Sequence, residues 1–153
     1  MITAEQILTS KTQEMICVSC DTKISDAIKI MNENSIGAIL VKDNDEVCGI
    51  WTERDLLHNI NEENFSIHTS ICNHMTKDLL SAPYNVGVYK LLDIFLGKKI
   101  RHILIEKENQ YIGILSQGDV VKAALNLKIQ EIEELNKTLD WEYYENWRFN
   151  WNK

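Results

Sequence analysis

The sequence predicts an α/β protein that contains two copies of one small unit, followed by a long C-terminal helix. Three observations predict it: a gapless internal repeat, matched helix and strand patterns in both copies, and a helical apolar stripe after the second copy. The repeat aligns positions 12–60 with positions 76–124. Repeats are sought first because a missed repeat leads to the wrong fold.

Each copy begins with a short strand and an amphipathic helix. Apolar residues at i, i+3, i+4 and i+7 form one helix face, and they recur at the equivalent positions of the second copy. These residues are Ile24, Ala27, Ile28 and Met31 in the first copy, and Val88, Leu91, Leu92 and Phe95 in the second.

A hairpin and a second helix follow in each copy. Short apolar runs predict buried strands, polar segments predict the turns, and a second apolar run predicts each return strand. The predicted strands are Ala38–Val41 with Val47–Trp51, and His102–Ile105 with Tyr111–Leu115. The predicted turns are Lys42–Glu46 and Glu106–Gln110, and the second helices are Thr52–Ile60 and Ser116–Ala124.

We therefore predict three segments: a first repeat at 1–64, a second at 65–125 and a C-terminal extension at 126–153. The polar segment Asn61–Ser70 is the predicted linker. A unit of this size buries little core alone, so the two repeats are expected to pack sheet against sheet.

Composition excludes several classes of protein. A net charge of −7 argues against a surface for nucleic acid or anionic lipid. No apolar stretch is long enough to span a membrane, and the segment Met1–Glu14 lacks the apolar region of a secretion signal. We expect a cytoplasmic location.

The four cysteines are expected to be reduced, mostly structural thiols. Cys17 and Cys20 form an isolated C-x-x-C, whereas a zinc site needs a second pair. Cys72 and His74 are spaced too closely to supply it. A thiol or metal sensor that uses Cys17 and Cys20 remains an alternative.

One motif, G-h-x-[ST]-x-x-D with h apolar, stands at the last strand-to-helix junction of each copy. It reads Gly49–Asp55 and Gly113–Asp119. The hydroxyl and the acid three residues later predict a helix capping box, which needs no ligand. The recurring glycine, however, is typical of close backbone approach, and a helix N-terminus offers free amide donors to an anion. Capping and binding are compatible, so both remain open.

Together the repeats, the His74-Met75-Thr76 segment and the two motifs resemble a tandem cystathionine-β-synthase-type (CBS) domain pair, the Bateman module, over residues 7–125. The resemblance implies two β-α-β-β-α units packed about a pseudo-twofold axis. It also implies two clefts for adenosine-containing ligands: AMP, ADP, ATP or S-adenosylmethionine. No other cofactor is expected.

The resemblance also assigns residues to the clefts. The motif acid would bind ribose hydroxyls and the motif hydroxyl would contact ribose or phosphate, while the threonine before each first strand and the start of each central strand would line the cleft. The implied binding residues are Thr12, Gly37, Ala38, Thr52, Asp55, Thr76, Arg101, His102, Ser116 and Asp119.

The two clefts are not expected to be equivalent. Arg101 offers a fork that suits phosphate oxygens, and His102 could add charge if its pKa were raised. The first repeat has Gly37 and Ala38 at the matching positions. We therefore expect one cleft that can hold phosphate and one that is weaker or empty.

The extension continues the last helix. Leu125, Ile129, Ile132, Leu135 and Leu139 form an a/d-like stripe, and six aromatics follow between Trp141 and Trp151. Aromatic residues are favoured interface anchors, so homodimerisation through this segment is the first expectation and a distinct protein partner the second. The mixture of acidic and basic residues makes a membrane-surface role less favoured.

No nucleophile–base pair, metal cluster or phosphate loop is found, so the sequence supports no enzyme activity. The preferred function is a regulatory module that senses an adenosyl ligand and transmits its binding state. The alternatives are a homodimerising interaction protein with no physiological nucleotide, or the thiol or metal sensor.

Overall fold

The computed structural model describes residues 2–11 and 14–149, with side chains described through residue 138. Each repeat contributes a three-stranded sheet and two helices, and an additional short helix precedes the first repeat. The first part of the chain contains α1 (Ala4–Ser10), β1 (Cys17–Ser19), α2 (Ile24–Asn34), β2 (Ala38–Asp43), β3 (Glu46–Thr52) and α3 (Glu53–Asn59). A 3₁₀ turn (Ile71–Asn73) leads to β4 (Ser81–Pro83), α4 (Val88–Lys98), β5 (His102–Lys107), β6 (Gln110–Ser116) and α5 (Gln117–Phe149).

The two sheets have the same topology and the same register. In each, a parallel pair is followed by an antiparallel hairpin, in the orders β1-β2-β3 and β4-β5-β6. Cys17 pairs with Leu40 and Ser81 pairs with Leu104, and these are equivalent positions of the two repeats. The predicted fold class, two β-α-β-β-α repeats with a long C-terminal helix, is confirmed.

The hairpin turns are tighter than the sequence suggested. The first turn consists of Asn44 and Asp45, both with positive φ, instead of the whole segment Lys42–Glu46. Two consecutive positive φ values match the twist of the flanking strands, so the ladder continues close to the turn. The strand ends next to the turn, such as Asp43 and Glu46, are polar and exposed, so the sequence pattern predicts a longer loop than the structure has.

The segment that precedes each repeat packs on the opposite repeat. Helix α1 was not predicted; Ala4 and Ile7 are buried in the core of the second repeat. Ile71, in the 3₁₀ turn that leads to β4, is buried in the core of the first repeat. The signal for α1 is the capping box formed by Thr3 and Gln6. This exchange ties the two repeats together at both ends.

Helix α5 uses two faces. On its first turns Val120 is fully buried, and Ala123, Ala124 and Leu127 pack against the same core. The predicted stripe is exposed where side chains are described: Leu125 by 59%, Ile129 by 45%, Ile132 by 56% and Leu135 by 64%. The stripe member Leu139 and the aromatics of the Trp141–Trp151 segment lie outside the described side chains. The helix itself runs to Phe149, as a single long helix predicts.

The cysteine prediction is wrong for two of the four residues. Cys20 and Cys72 form a disulfide, with Cα atoms 5.0 Å apart. The linker returns along the end of β1, where the Ile71 amide donates to the Thr22 carbonyl over 2.8 Å, and this path brings Cys72 to Cys20. A thiol or metal sensor that uses Cys17 and Cys20, the alternative above, would therefore require the Cys20–Cys72 bond to open first.

Cys17 itself is a free, half-buried thiol. Burial raises its pKa above the ordinary value, against the opposing charge of Lys42, so the unreactive thiol form is favoured. In the described part of the chain no three His, Cys, Asp or Glu side chains are grouped to hold a metal ion. Within the same residues, no helix combines the length and the apolar character that crossing a membrane requires.

Candidate functional site: two clefts between the repeats

The first cleft is a cavity of about 200 Å³ that combines residues of both repeats. The first repeat contributes Thr52 and Asp55 at the start of α3. The second contributes Thr76, just before its sheet, and Arg101 and His102 at the start of β5. Gly37 completes the set of predicted residues on its lining. The structure thus brings six of the predicted residues into one cavity.

Backbone pairing between the repeats positions Thr76. Its amide donates to the Ile50 carbonyl over 2.8 Å, and its carbonyl accepts from the Ile50 amide over 2.9 Å. This isolated bridge lies on β3, two residues before Thr52. Because the pairing fixes both backbones, Thr76 is held beside the motif of the other repeat.

The motif glycines allow this close approach. A Cβ at Gly49 would overlap the Met75 side chain, and one at Gly113 would lie 2.7 Å from Leu8 Cδ2. Real Cβ atoms do not come this close to other atoms, so a side chain at either glycine would force the Met75 or Leu8 side chain to move. The sequence predicted close backbone approach at these glycines; what lies against them is a side chain, Met75 or Leu8, of the segment that leads into the other repeat.

The motif hydroxyl and acid form a capping box, as the sequence predicted. Asp55 Oδ2 accepts from the Thr52 amide and from Thr52 Oγ1, each at 2.8 Å, and Thr52 Oγ1 accepts from the Asp55 amide at 3.4 Å. All contacts to the carboxylate that the described residues make go to Oδ2. Asp55 Oδ1 therefore keeps its lone pairs for an external donor while Oδ2 caps the helix.

Two arginines, Arg54 and Arg101, line the first cleft, and Arg101 is exposed. His102 is half-buried, and burial lowers its pKa below the ordinary 6.5, with the nearby charge of Lys11 acting in the same direction. The raised pKa that would let His102 contribute charge is thus absent, and the imidazole is neutral at pH 7. Glu53 and Arg54 are exposed, and both also line the cleft.

The second cleft is a cavity of about 330 Å³ that also combines residues of both repeats. Its wall includes Ile36 and Ala38 from the first repeat and Gly113 and Ile114 from the second. Lys11 and Glu14 also line it, whereas the predicted residues Ser116 and Asp119 do not. Gly37 and Ala38, predicted to line one cleft at the start of the central strand, are divided between the two: Gly37 lines the first cleft and Ala38 the second. Thr12 lies outside the described residues.

Lys11 connects the second cleft to the second motif. Its ammonium lies 2.8 Å from Asp119 Oδ2 and donates to the Ile114 carbonyl over 3.3 Å. Ser116 and Asp119 form the same capping pair as in the first repeat, with the Ser116 amide donating to Asp119 Oδ2 over 2.8 Å. The two clefts differ in their lining residues, and the second one also contains a cation, Lys11.

Sequence reasoning missed Lys11 because it precedes the repeat and is far from Asp119 along the chain. Burial acts to raise the pKa of Asp119, but hydrogen bonds from Lys11 and Ser116 outweigh it, and the net effect lowers the pKa below its ordinary 3.8. The carboxylate is therefore ionised over the physiological range, and it is already engaged by a cation from another part of the chain.

Comparisons with known proteins agree with this architecture. The sequence matches the CBS domain family over residues 4–62 and 69–126. It is 32% identical over 126 residues to the mitochondrial CBS domain-containing protein CBSX3 of Arabidopsis thaliana, covering 78% of this chain but only 61% of that protein's length.

Two solved structures are similar to the whole two-repeat unit. A CBS-domain protein from Agrobacterium tumefaciens superposes with a TM-score of 0.74 at 33% identity, over 80% of this chain and 92% of that one. CBSX2, solved in complex with AMP, superposes with a TM-score of 0.66 at 25% identity, over 76% of this chain and 92% of that one. The chain belongs to the CBS domain family and contains two copies of that domain.

Proposed function

We propose that this protein is a regulatory module that binds an adenosine-containing ligand between its two repeats and passes the binding state to a second copy or a partner. The observation that carries the proposal is the first cleft. There an ionisable acceptor, Asp55, and a fork-shaped cation, Arg101, come from opposite repeats and line one cavity.

The chemistry of this cleft suits a ribose phosphate. Asp55 Oδ1 is open to a diol donor, while Oδ2 remains committed to the cap. Arg101 offers paired N–H donors to phosphate oxygens, and Thr76 lines the same cavity. A ligand that contacts both groups bridges the repeats, so binding favours one relative tilt of the two sheets. That CBSX2 was solved with AMP supports AMP as the first of the four candidate ligands to test.

Thermal unfolding with AMP, ATP or S-adenosylmethionine tests the proposal, because a ligand that binds only the folded state raises Tm. Wild type should show a concentration-dependent rise, and Asp55→Ala should lose most of it. Each shift is measured from the variant's own ligand-free Tm, so that loss of the helix cap cancels. Asp26→Ala, which removes a first-turn acid from α2 outside both clefts, should respond like wild type. No response of wild type to any of the three ligands would refute the proposal and favour a protein that acts only through interactions.

We further propose that the exposed stripe on α5 binds the same stripe of a second copy. Its members, Leu125, Ile129, Ile132 and Leu135, recur at four- and three-residue steps. Two such helices can bury each other's stripe by side-chain interdigitation. A homodimer built this way would couple the clefts of two molecules through α5, which starts at the second motif.

Light scattering after size exclusion measures the dimer. Ile129→Glu combined with Ile132→Glu should give a monomer because it places charges in the seam, and Gln130→Glu, off the stripe, should stay dimeric. Removal of residues 141–153 asks whether the aromatic segment, the predicted site for a distinct protein partner, contributes. A wild-type monomer at micromolar concentration would refute the dimer.

A further inference from the structure

A disulfide fixes the segment that leads into the first cleft. Cys72 precedes Thr76, which lines that cleft, by one turn of chain, and its bond to Cys20 ties this segment to the end of β1. Between the bond and the cleft the backbone folds back on itself, because the Met75 amide donates to the Ile71 carbonyl over 2.9 Å. The position of Thr76 therefore depends on how firmly the start of the segment is held.

The non-covalent contacts beside the disulfide are weaker than the bond itself. Ile71 is fully buried in the first core, and its amide donates to the Thr22 carbonyl over 2.8 Å. The Cys72 amide lies 3.4 Å from the Cys20 carbonyl, which also accepts from the Ser70 hydroxyl. The strand that Cys20 follows, β1, has three residues and lies at the edge of its sheet. Contacts of this kind permit local opening without unfolding of the core, and the covalent bond prevents it.

The equivalent segment of the other half is held without cysteines. The repeat alignment, extended toward the N-terminus, relates Cys72 to Leu8 of α1. There a helix of seven residues makes the attachment: the Glu5 amide donates to the Tyr84 carbonyl over 2.9 Å, and the Glu5 carboxylate pairs with Lys107 at 2.6 Å. The two crossing segments are thus held in different ways, and the one that enters the first cleft depends on two sulfur atoms.

We propose that this disulfide is a redox switch for the first cleft: the oxidised form holds Thr76 in place for the ligand, and reduction loosens residues 71–76 and weakens binding there. The part that concerns ligand rests on the proposed function. Both cysteines are partly exposed, so a reductant can reach the bond while the core stays folded.

The redox step is an ordinary thiol–disulfide exchange with a dithiol reductant. One thiolate of the dithiol attacks one cysteine sulfur and releases the other cysteine. The second thiolate then closes a disulfide within the reductant and releases the first cysteine. The dithiol loses two electrons and two protons, and both end on the thiols of Cys20 and Cys72.

Binding and oxidation state are then coupled in both directions. A ligand that binds the oxidised form more tightly than the reduced form stabilises the disulfide by the same factor. For a two-electron couple, a preference of about tenfold lowers the reduction potential by about 30 mV. Ligand in the first cleft therefore makes the bond harder to reduce.

Hydrogen exchange measured by NMR tests the release of the segment without any ligand. The amides of Ile50 and Thr76 report on it directly, because each donates to the carbonyl of the other residue. Reduction with dithiothreitol should speed their exchange by about tenfold or more through a local opening. Exchange through a local opening is insensitive to low concentrations of urea, whereas exchange of the β2 amides by global unfolding is not.

Titration calorimetry with AMP tests the effect on binding. Oxidised wild type should bind AMP about tenfold more tightly than reduced wild type. Cys20→Ser with Cys72→Ser should bind as weakly as the reduced form, with or without reductant. Cys48→Ala, which removes a free thiol, should keep the full response. Any AMP binding that remains in Asp55→Ala belongs to the second cleft and should not respond to reductant.

The outcomes separate this inference from the proposed function. Equal AMP affinities of oxidised and reduced wild type overturn the inference alone. Exchange at Ile50 and Thr76 that ignores reductant, or that rises with the urea dependence of the β2 amides, also overturns it, because the segment is then not released locally. Loss of the circular dichroism signal on reduction would make the bond a structural staple instead of a switch. If oxidised wild type binds no adenosine-containing ligand, the proposed function fails and this inference fails with it.

Discussion

Loss of the Cys20–Cys72 disulfide should strongly destabilise the first repeat. The bond closes a loop with a sequence separation of 52 residues and joins the end of β1 to the linker. In the chain-entropy description a loop of this length restricts the unfolded chain by an amount equivalent to about 4 kcal/mol at 25 °C. Small domains have a total free energy of unfolding of about 5–15 kcal/mol, so the expected loss is a large fraction of it.

Urea unfolding followed by tryptophan fluorescence measures this loss. Trp51 is fully buried in the first core, and with the other three tryptophans (Trp141, Trp147 and Trp151) replaced by phenylalanine the fluorescence reports on that repeat alone. With an m-value of about 2 kcal/mol/M, the expected change moves the midpoint down by about 2 M. Cys20→Ala with Cys72→Ala, and wild type in excess reductant, should both show it.

The matched control is Cys48→Ala, a free cysteine whose loss should leave the sensitivity to reductant unchanged. When the oxidised protein is denatured without reductant and then alkylated, two of its four cysteines should be labelled. Equal midpoints with and without reductant, together with four labelled thiols, would refute the disulfide and the loop-entropy reasoning based on it.

Three further predictions concern single residues. Gly49→Val should lower the free energy of unfolding by about 1–3 kcal/mol because its side chain would collide with Met75. Gly97→Ala, whose new methyl group meets open space on α4, should raise the free energy of unfolding by about 0.5–1 kcal/mol. Equal urea midpoints for Gly49→Val and wild type would contradict the expected collision. Phe95→Ala, in the core of the second repeat, should cost about 3–5 kcal/mol by calorimetry, and a cost under about 1 kcal/mol would mean that the site is not tightly packed. Because the folded state lowers the pKa of His102, stability should be fully present above pH 6.5 and fall as the pH drops below it, where only the unfolded chain takes up the proton. His102→Gln should reduce this loss between pH 7 and pH 5, and an identical pH profile would contradict the assignment.

Local patterns in the sequence predicted much of this fold. The helix faces, the hairpins and the helix caps all depend on residues that are close along the chain, and the repeat then predicts that both sheets share one register. For such elements, periodicity and capping chemistry are sufficient, because the contacts that stabilise them are short in sequence. The role of Gly49 was also predictable, since a glycine in a strand pattern indicates close approach.

The clefts were predictable only in outline. The motif places Asp55 and Asp119 at helix N-termini, and the repeat implies two equivalent positions for them. What lies opposite each acid depends on which segment crosses to which repeat. That crossing brings Thr76 to the first motif and Lys11 to the second, and the two outcomes are chemically different.

Composition, internal repeat and helix-start motifs thus determined from the sequence alone that the chain is a pair of α/β units with two acid-bearing junctions. Only the tertiary structure decided that α1 packs on the far repeat, that Cys20 bonds Cys72 and that Lys11 neutralises Asp119. These contacts join residues that are far apart along the chain, and no spacing rule encodes them. They form because the core of each repeat is completed by the segment that leads into the other repeat.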